Sequence, residues 1–85
     1  MKEFEYVIKD EIGIHARPAG VLVKAAKEFS SRIIVEKGDE KADMRKMIQL
    51  MQLGAKCGDT IKVCIEGEDE ELAAEEIGKK IAENL

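Results

Sequence analysis

The chain has 85 residues, with 14 basic and 18 acidic side chains and a formal net charge of −4. Residues 1–85 are enough for one small domain, whose core is too small to enclose a deep substrate pocket. Apolar residues make up 45% and charged residues 38% of the chain, which is typical of a soluble globular protein, and the acidic balance without interleaved aromatic and basic residues argues against nucleic-acid binding.

Taken in chain order, hydrophobic periodicity predicts seven elements in the order β-α-β-β-α-β-α. The strands are expected over Glu3–Ile8, Arg32–Glu36, Lys41–Asp43 and Thr60–Glu66. The helices are expected over Ala16–Phe29, over Met44–Leu53 and after Asp69. Asp69 is interpreted as the N-cap of the last helix, because its side chain can accept a free N–H of the first turn. The predicted buried stripe of that helix comprises Ala74, Ile77, Ile81 and Leu85.

The second predicted helix has two separate apolar faces at 100° per residue. One face comprises Met44, Met47, Ile48 and Met51, and the other comprises Leu50 and Leu53. A short surface helix cannot bury both faces well, so one of them is expected to remain exposed. Two readings stay open: an exposed methionine face that suits docking to another protein, or a buried methionine face with no exposed patch.

Membrane and metal chemistry are not expected. The longest uncharged stretch, Met47–Ala55, has nine residues, far fewer than the ~20 of a membrane span, so we expect no membrane insertion. The first residues lack the apolar segment of a secretory signal, which predicts a cytoplasmic protein with reduced thiols at Cys57 and Cys64. The spacing of these cysteines is not that of zinc ligands, and we expect neither a metal nor a cofactor.

His15 is the only histidine, and it directly precedes the first predicted helix, in which Pro18 suits the first turn. A helix N-terminus presents unpaired N–H groups and partial positive charge, which suit an anion. Arg17 adds a planar fork of donors that matches phosphate oxygens. Nearby positive charge favours a neutral ring whose free nitrogen can attack phosphorus, and the same charge then stabilises the bound phosphoryl group.

Other phosphate chemistries need groups that the sequence does not identify. Attack by a neutral imidazole requires no general base, whereas a hydrolase would need a group that activates water. A kinase or NTPase would need a Gly-x₄-Gly-Lys-[Ser/Thr] loop, and the chain has none. The sequence therefore favours a surface histidine that holds a phosphoryl group briefly and passes it to another protein.

The segment Gly13-Ile14-His15-Ala16-Arg17-Pro18-Ala19-Gly20 closely resembles the active-site signature of the HPr family, the histidine-containing phosphocarriers of the bacterial phosphoenolpyruvate:sugar phosphotransferase system. The resemblance extends to the chain length, the order of elements and Met51-Gln52-Leu53-Gly54 at the end of the second helix. It implies an α+β open-faced β-sandwich, in which three helices cover one face of a four-stranded antiparallel sheet.

The resemblance also implies roles for individual residues. His15 would accept the phosphoryl group at Nδ1 from phosphorylated enzyme I and pass it to enzyme IIA domains, and Arg17 would contact it. Phosphate would lie at the helix N-terminus formed by Ala16, Arg17 and Pro18. The implied partner surface comprises Ala16, Gly20, Lys24, Lys27, Lys46, Met47, Ile48 and Met51, which favours the exposed methionine face. The family implies a monomeric carrier that is not itself a complete enzyme.

The chain departs from many Gram-positive members of the family at one position. These members carry a regulatory serine at the start of the second helix, where this chain has Lys46. A lysine cannot be phosphorylated by the serine kinase, and it keeps the surface basic, which aids encounter with acidic partners. We therefore hypothesise a carrier without that switch.

Two alternatives to a sugar-pathway carrier remain. One is a specialised or regulatory HPr paralogue, which acts in a non-sugar phosphotransfer pathway or as a binding module. The retained His15 and the absent serine argue against a binding module. The other alternative is an enzyme that transfers phosphate to water, which would release phosphate from the phosphorylated protein without a partner.

Overall fold

The seven elements follow the predicted order in the computed structural model, which describes all of residues 1–85. The strands are β1 Lys2–Val7, β2 Arg32–Lys37, β3 Glu40–Asp43 and β4 Thr60–Glu66. The helices are α1 Ala16–Ala26, α2 Met47–Gln52 and α3 Glu70–Asn84. None of these helices is both long enough and apolar enough to cross a lipid bilayer.

The strands form one antiparallel sheet in the spatial order β1-β4-β2-β3. One row across the sheet runs from Phe4 through Val63 and Val35 to Ala42. Because side chains alternate between the two faces of a sheet, this apolar row belongs to the face that the helices cover. The next row, Glu5, Lys62, Glu36 and Lys41, belongs to the open face. The fold is therefore the α+β open-faced β-sandwich that the family resemblance implied.

The core between the sheet and the helices is aliphatic, as the low aromatic content requires. Leu22 of α1, Ile33 of β2, and Ile77 and Ile81 of α3 are almost completely buried in one cluster. Burial of each such side chain contributes about 1.5–3 kcal/mol relative to exposure. The predicted stripe on α3 is confirmed except at one position, because Ala73 is fully buried and Ala74 only partly.

The first helix is shorter than predicted and ends at Ala26 rather than Phe29. After Ala26 the backbone tightens: Glu28 donates its N–H to the Ala25 carbonyl at 3.1 Å, and Phe29 donates to the Ala26 carbonyl at 3.2 Å. These bonds span three residues instead of four, so they close a tighter turn that ends the α-helix.

The second helix begins at Met47, so the prediction of a start at Met44 was wrong. The Met44 N–H donates to the Ile33 carbonyl at 2.9 Å, which continues the pairing of β2 with β3. Asp43 then forms a turn, in which its carboxylate accepts the Arg45 N–H at 2.9 Å. The side chain of Met44 is fully buried in the core and does not belong to the exposed face of α2.

Asp69 precedes α3 as predicted, but its side chain makes no capping bond to that helix. Its carboxylate accepts the backbone N–H groups of Ser30 and Ser31, each at 2.9 Å, and the Ser31 hydroxyl. Ser31 is completely buried, so the carboxylate supplies the partner that a buried hydroxyl needs. The hydroxyl of Ser31, followed by the backbone N–H groups, holds the pKa of Asp69 below its ordinary value.

Candidate functional site

His15 is the N-cap residue of α1, with an extended backbone (φ −123°, ψ −172°). Its carbonyl accepts the Ala19 N–H at 3.0 Å, which starts the helical hydrogen-bond pattern. The imidazole makes no capping bond and is 35% exposed. The ring therefore stands at the surface, at the positive end of the helix, as the sequence predicted.

The first turn of α1 is open to an anion. Ala16 and Arg17 are exposed, and neither their backbone N–H groups nor the Arg17 guanidinium has a hydrogen-bond partner in the chain. Pro18 is buried and has no N–H, so it shapes the turn but cannot donate to phosphate. No acidic residue lies in this turn. The free donors and the positive charge of Arg17 together suit a phosphoryl group.

A tight turn, residues 10–14, leads into the site. The Asp10 carboxylate accepts the N–H groups of Ile12 at 3.0 Å and Gly13 at 3.1 Å. Ile14 then donates its N–H to the Ala55 carbonyl at 3.0 Å, which joins this turn to the segment after α2. Gly13 has φ +85°, a backbone conformation that favours glycine. These contacts fix the backbone immediately before His15.

Asp10 also approaches the His15 ring, and the sequence analysis did not identify it. Oδ2 of Asp10 lies 3.8 Å from Nε2 of His15. The sequence did carry a local signal for this contact. An aspartate in a loop shortly before a glycine is typical of an Asx-turn, in which the side chain accepts backbone N–H groups two residues on. Such a turn reverses the chain, and this reversal brings a residue five positions earlier back to the histidine.

The segment that supports the turn is itself held in place by ionic contacts. Asp59 accepts the Lys56 N–H at 2.9 Å, and its carboxylate lies 3.4 Å from the Lys37 ammonium. The Lys56 N–H, followed by the positive charge of Lys37, holds the pKa of Asp59 below its ordinary value. The Lys37 ammonium also donates to the Gly54 carbonyl at 3.2 Å. The backbone around Ala55, whose carbonyl accepts the Ile14 N–H, is therefore anchored to Lys37 at the end of β2.

The two apolar faces of α2 differ in solvent exposure. Leu50 and Leu53 are buried in the core, whereas Met47, Ile48 and Met51 are exposed, with Ile48 at 70%. The structure therefore supports an exposed face made of Met47, Ile48 and Met51, whereas Met44, which was predicted on the same face, is buried in the core. Since α1 and α2 pack against each other, the exposed face lies beside the helix that carries the site.

Basic side chains accompany this apolar face. Lys24 of α1, Lys27 directly after α1, and Lys46, which precedes α2, are exposed and form no ion pair within the chain. Gly20 leaves open space above α1, because a Cβ there would meet no atom within 4 Å. Ile12, in the turn before His15, is 67% exposed and is an apolar surface residue that the sequence analysis did not name.

The cysteines lie in different surroundings. Cys57 is exposed, and its thiol is 3.7 Å from the Lys9 carbonyl. Cys64 lies on the open face of the sheet, 3.4 Å from a carboxylate oxygen of Glu36. Burial, and then the contact with Glu36, raises the pKa of the Cys64 thiol, which disfavours the reactive thiolate. No group of three or more His, Cys, Asp or Glu side chains is arranged to hold a metal ion.

The chain is similar in sequence and in structure to known proteins. Residues 2–83 match a family model described as "PTS HPr component phosphorylation site". Phosphocarrier protein HPr from Borreliella burgdorferi is 40% identical over 81 residues, which cover 95% of this chain and 94% of the relative. Phosphocarrier protein HPr from Mycoplasma genitalium is 42% identical over 74 residues, which cover 86% and 84%. The crystal structure of HPr-C-His from Thermoanaerobacter tengcongensis superposes with a TM-score of 0.92 at 39% identity, covering 99% of this chain and 94% of that one.

Proposed function

Because this chain belongs to the HPr family and is a phosphocarrier of the phosphoenolpyruvate:sugar phosphotransferase system, we propose that His15 is the residue that carries the phosphoryl group. The observation that carries this proposal is the position of the ring at the open N-terminus of α1. The free N–H groups of Ala16 and Arg17 supply hydrogen-bond donors, and the Arg17 guanidinium supplies the positive charge that suits a phosphoryl group. Pro18 completes the phosphate-binding turn by its fixed backbone.

The transfer is an in-line displacement between two histidines. The lone pair of His15 Nδ1 attacks the phosphorus of a phosphohistidine on the donor, and a new N–P bond forms as the donor's N–P bond breaks. The electron pair of the broken bond stays on the donor's ring nitrogen. The proton on Nε2 of His15 stays in place, so no general base is needed. The reverse displacement, onto the acceptor's histidine, unloads the carrier. Arg17 contacts the phosphoryl oxygens in both steps.

Donor and acceptor meet the same surface in this proposal. The donor is phosphorylated enzyme I, and the acceptors are enzyme IIA domains. The contact surface comprises Ala16, Gly20, Lys24, Lys27, Lys46, Met47, Ile48 and Met51. Its exposed apolar residues and unpaired lysines support this role, because an apolar centre with a basic rim suits weak, fast binding to acidic partners.

The proposal extends to the oligomeric state, the role and the location of the protein. The chain acts as a monomeric carrier of one domain over residues 1–85, and it is a transiently phosphorylated substrate of its partners rather than an enzyme. It works in the cytoplasm, where its two free cysteines stay reduced. No cofactor takes part, since the phosphoryl group passes directly between histidines.

Phosphorylation by phosphoenolpyruvate and enzyme I tests the proposal. We expect the wild type to acquire one phosphoryl group, and its phosphorus NMR signal to identify Nδ1 as the attached nitrogen. His15→Ala should acquire none, and Arg17→Ala should react at least about tenfold more slowly, because a charge-assisted contact to phosphate is lost.

Lys41→Ala is the matched control, because Lys41 is an exposed cation on the open face of the sheet. It should react like the wild type. Stoichiometric labelling of His15→Ala would contradict the assignment of the acceptor. Rapid release of phosphate from the labelled wild type without any partner would instead favour transfer to water.

A further inference from the structure

We propose that Asp10 is a positioning residue, which holds the proton of the His15 ring on Nε2 and thereby keeps Nδ1 free to accept the phosphoryl group. Oδ2 of Asp10 lies 3.8 Å from Nε2, so the carboxylate faces this nitrogen of the ring. The importance of this contact for transfer rests on the proposed role of His15, whereas its effect on the position of the proton does not.

The carboxylate of Asp10 is held in place by the backbone around it. The oxygen that faces the ring, Oδ2, also accepts the N–H groups of Ile12 at 3.0 Å and Gly13 at 3.1 Å. The N–H of Asp10 itself donates to the Leu85 carbonyl oxygen at 2.6 Å. Both ends of the residue are therefore fixed, and rotation of the side chain away from His15 would cost two hydrogen bonds.

A neutral imidazole carries its proton on one nitrogen and a lone pair on the other, and the surroundings decide which. A carboxylate that faces Nε2 repels a lone pair there and attracts an N–H. The negative charge of Asp10 therefore favours the tautomer in which Nε2 is protonated. In that tautomer the lone pair is on Nδ1, the nitrogen that attacks phosphorus in the proposed reaction.

The same charge acts during transfer. As Nδ1 gives its electron pair to phosphorus, the His15 ring becomes positively charged and keeps its proton on Nε2. A fixed carboxylate 3.8 Å from Nε2 stabilises this growing charge without moving. Orientation of an imidazole and stabilisation of its cationic form by a carboxylate are known as a general device in catalytic triads.

Asp10 could instead serve only to hold the turn, and two substitutions separate these roles. Asp10→Asn removes the charge but keeps an oxygen that can accept the N–H groups of Ile12 and Gly13. Asp10→Ala removes both. Glu11→Gln is the matched control: it makes the same change in net charge one residue away, at an exposed side chain that forms no hydrogen bond or ion pair.

The first measurement is the tautomer of His15 in the unphosphorylated protein. It uses ¹⁵N-labelled protein and NMR of the ring nitrogens, about two pH units above the ~6.5 of an ordinary histidine. We expect the Nε2–H form to predominate in the wild type and in Glu11→Gln. In Asp10→Asn the ratio of Nε2–H to Nδ1–H should fall by roughly threefold to tenfold, the range that a unit charge at this distance gives under surface screening.

The second measurement is the rate of phosphoryl transfer from phosphorylated enzyme I. In Asp10→Asn we expect kcat to fall by roughly threefold to tenfold with KM unchanged, because the charge acts on the ring and not on binding. The amide shifts of Ile12 and Gly13 check that the turn is intact in this variant. Equal tautomer ratios and equal kcat in Asp10→Asn and Glu11→Gln would overturn the inference.

Three further outcomes are also informative. A predominant Nδ1–H form in the wild type would overturn the inference without any variant. If Asp10→Asn behaves like the wild type and Asp10→Ala loses activity, Asp10 only holds the turn, and the inference is again wrong. Failure of the wild type to be phosphorylated, with the expected tautomers, would contradict the proposed function and leave the proton-holding role of Asp10 supported.

Discussion

Gly13 and Ala55 are in such close contact that a Cβ built on Gly13 would lie 2.2 Å from the Ala55 carbonyl oxygen. The same carbonyl accepts the N–H of Ile14, the residue directly before His15. The position of His15 therefore depends on a close approach of two backbone segments that are far apart in sequence. Only a residue without a side chain permits this approach.

Gly13→Ala tests this contact. We expect the free energy of unfolding to fall by roughly 2–5 kcal/mol, because the new methyl group overlaps the Ala55 backbone and position 13 has a left-handed conformation. Urea unfolding followed by circular dichroism measures the change. Gly38→Ala is the control, because Gly38 has φ +59° but open space around it. It should lose only about 1–2 kcal/mol, and equal losses in the two variants would contradict the steric explanation.

Asp69 should contribute to stability in a pH-dependent way. Its pKa is lowered in the folded protein, by the Ser31 hydroxyl first. Its stabilising contribution is therefore present above the ~3.9 of an unfolded aspartate and is lost as the pH falls through the lower folded value. We expect Asp69→Asn to have a lower Tm than the wild type at pH ~7, and the difference to shrink below pH ~4.

Thermal unfolding of both proteins between pH ~7 and pH ~2 measures this effect. The control is Asp39→Asn, at an exposed turn residue that makes no hydrogen bond or ion pair. Its Tm should follow that of the wild type throughout. A constant difference in Tm between wild type and Asp69→Asn across this range would show that the ionised carboxylate is not the stabilising species.

Ile48→Ser should weaken binding to enzyme I without affecting stability. The side chain is 70% exposed in the free protein, so its loss costs little in folding, but a central apolar contact in an interface is worth more. We expect KM for transfer from phosphorylated enzyme I to rise about tenfold and Tm to stay unchanged. Leu72→Ser is the control, because Leu72 is 56% exposed on α3. An equal effect of Leu72→Ser on KM would argue against a contact specific to α2.

Because Lys46 stands where regulated family members carry a serine, the HPr serine kinase should not phosphorylate this protein. We expect no incorporation of phosphate when the wild type is incubated with this kinase and ATP. Lys46→Ser should restore labelling, because it places a hydroxyl where regulated family members carry one. Mass spectrometry locates the phosphate. Stoichiometric labelling of the wild type at Ser30 or Ser31, the only serines, would contradict the hypothesis.

Local patterns in the sequence were enough for the order of elements and for most of their residues. The alternation along Thr60–Glu66 and the helical spacing around Leu22 depend only on which face of an element is buried. The ends of the elements were less accurate. Met44 fits the helical pattern of α2, but its backbone pairs with Ile33 of a neighbouring strand, and no local signal reveals that partner.

Asp69 is a second case in which a partner distant in sequence could not be predicted from the local pattern. An aspartate before a helix is a common N-cap, and its position was predicted correctly. Its carboxylate is nevertheless taken by Ser30 and Ser31, which lie almost forty residues earlier in the chain. The competition between a local and a distant partner is decided by the burial of Ser31, which follows from the packing of the whole domain.

The sequence by itself determined the order of the elements, the position of His15 at the start of a helix and the positive charge of Arg17 beside it, because each depends on residues close together in the chain. Only the tertiary structure decided that Leu50 and Leu53 turn inward while Ile48 remains exposed. It also decided that Asp10 faces the imidazole. Both outcomes depend on how the backbone folds back on itself, and the free energy of that folding comes from contacts distributed over the entire core.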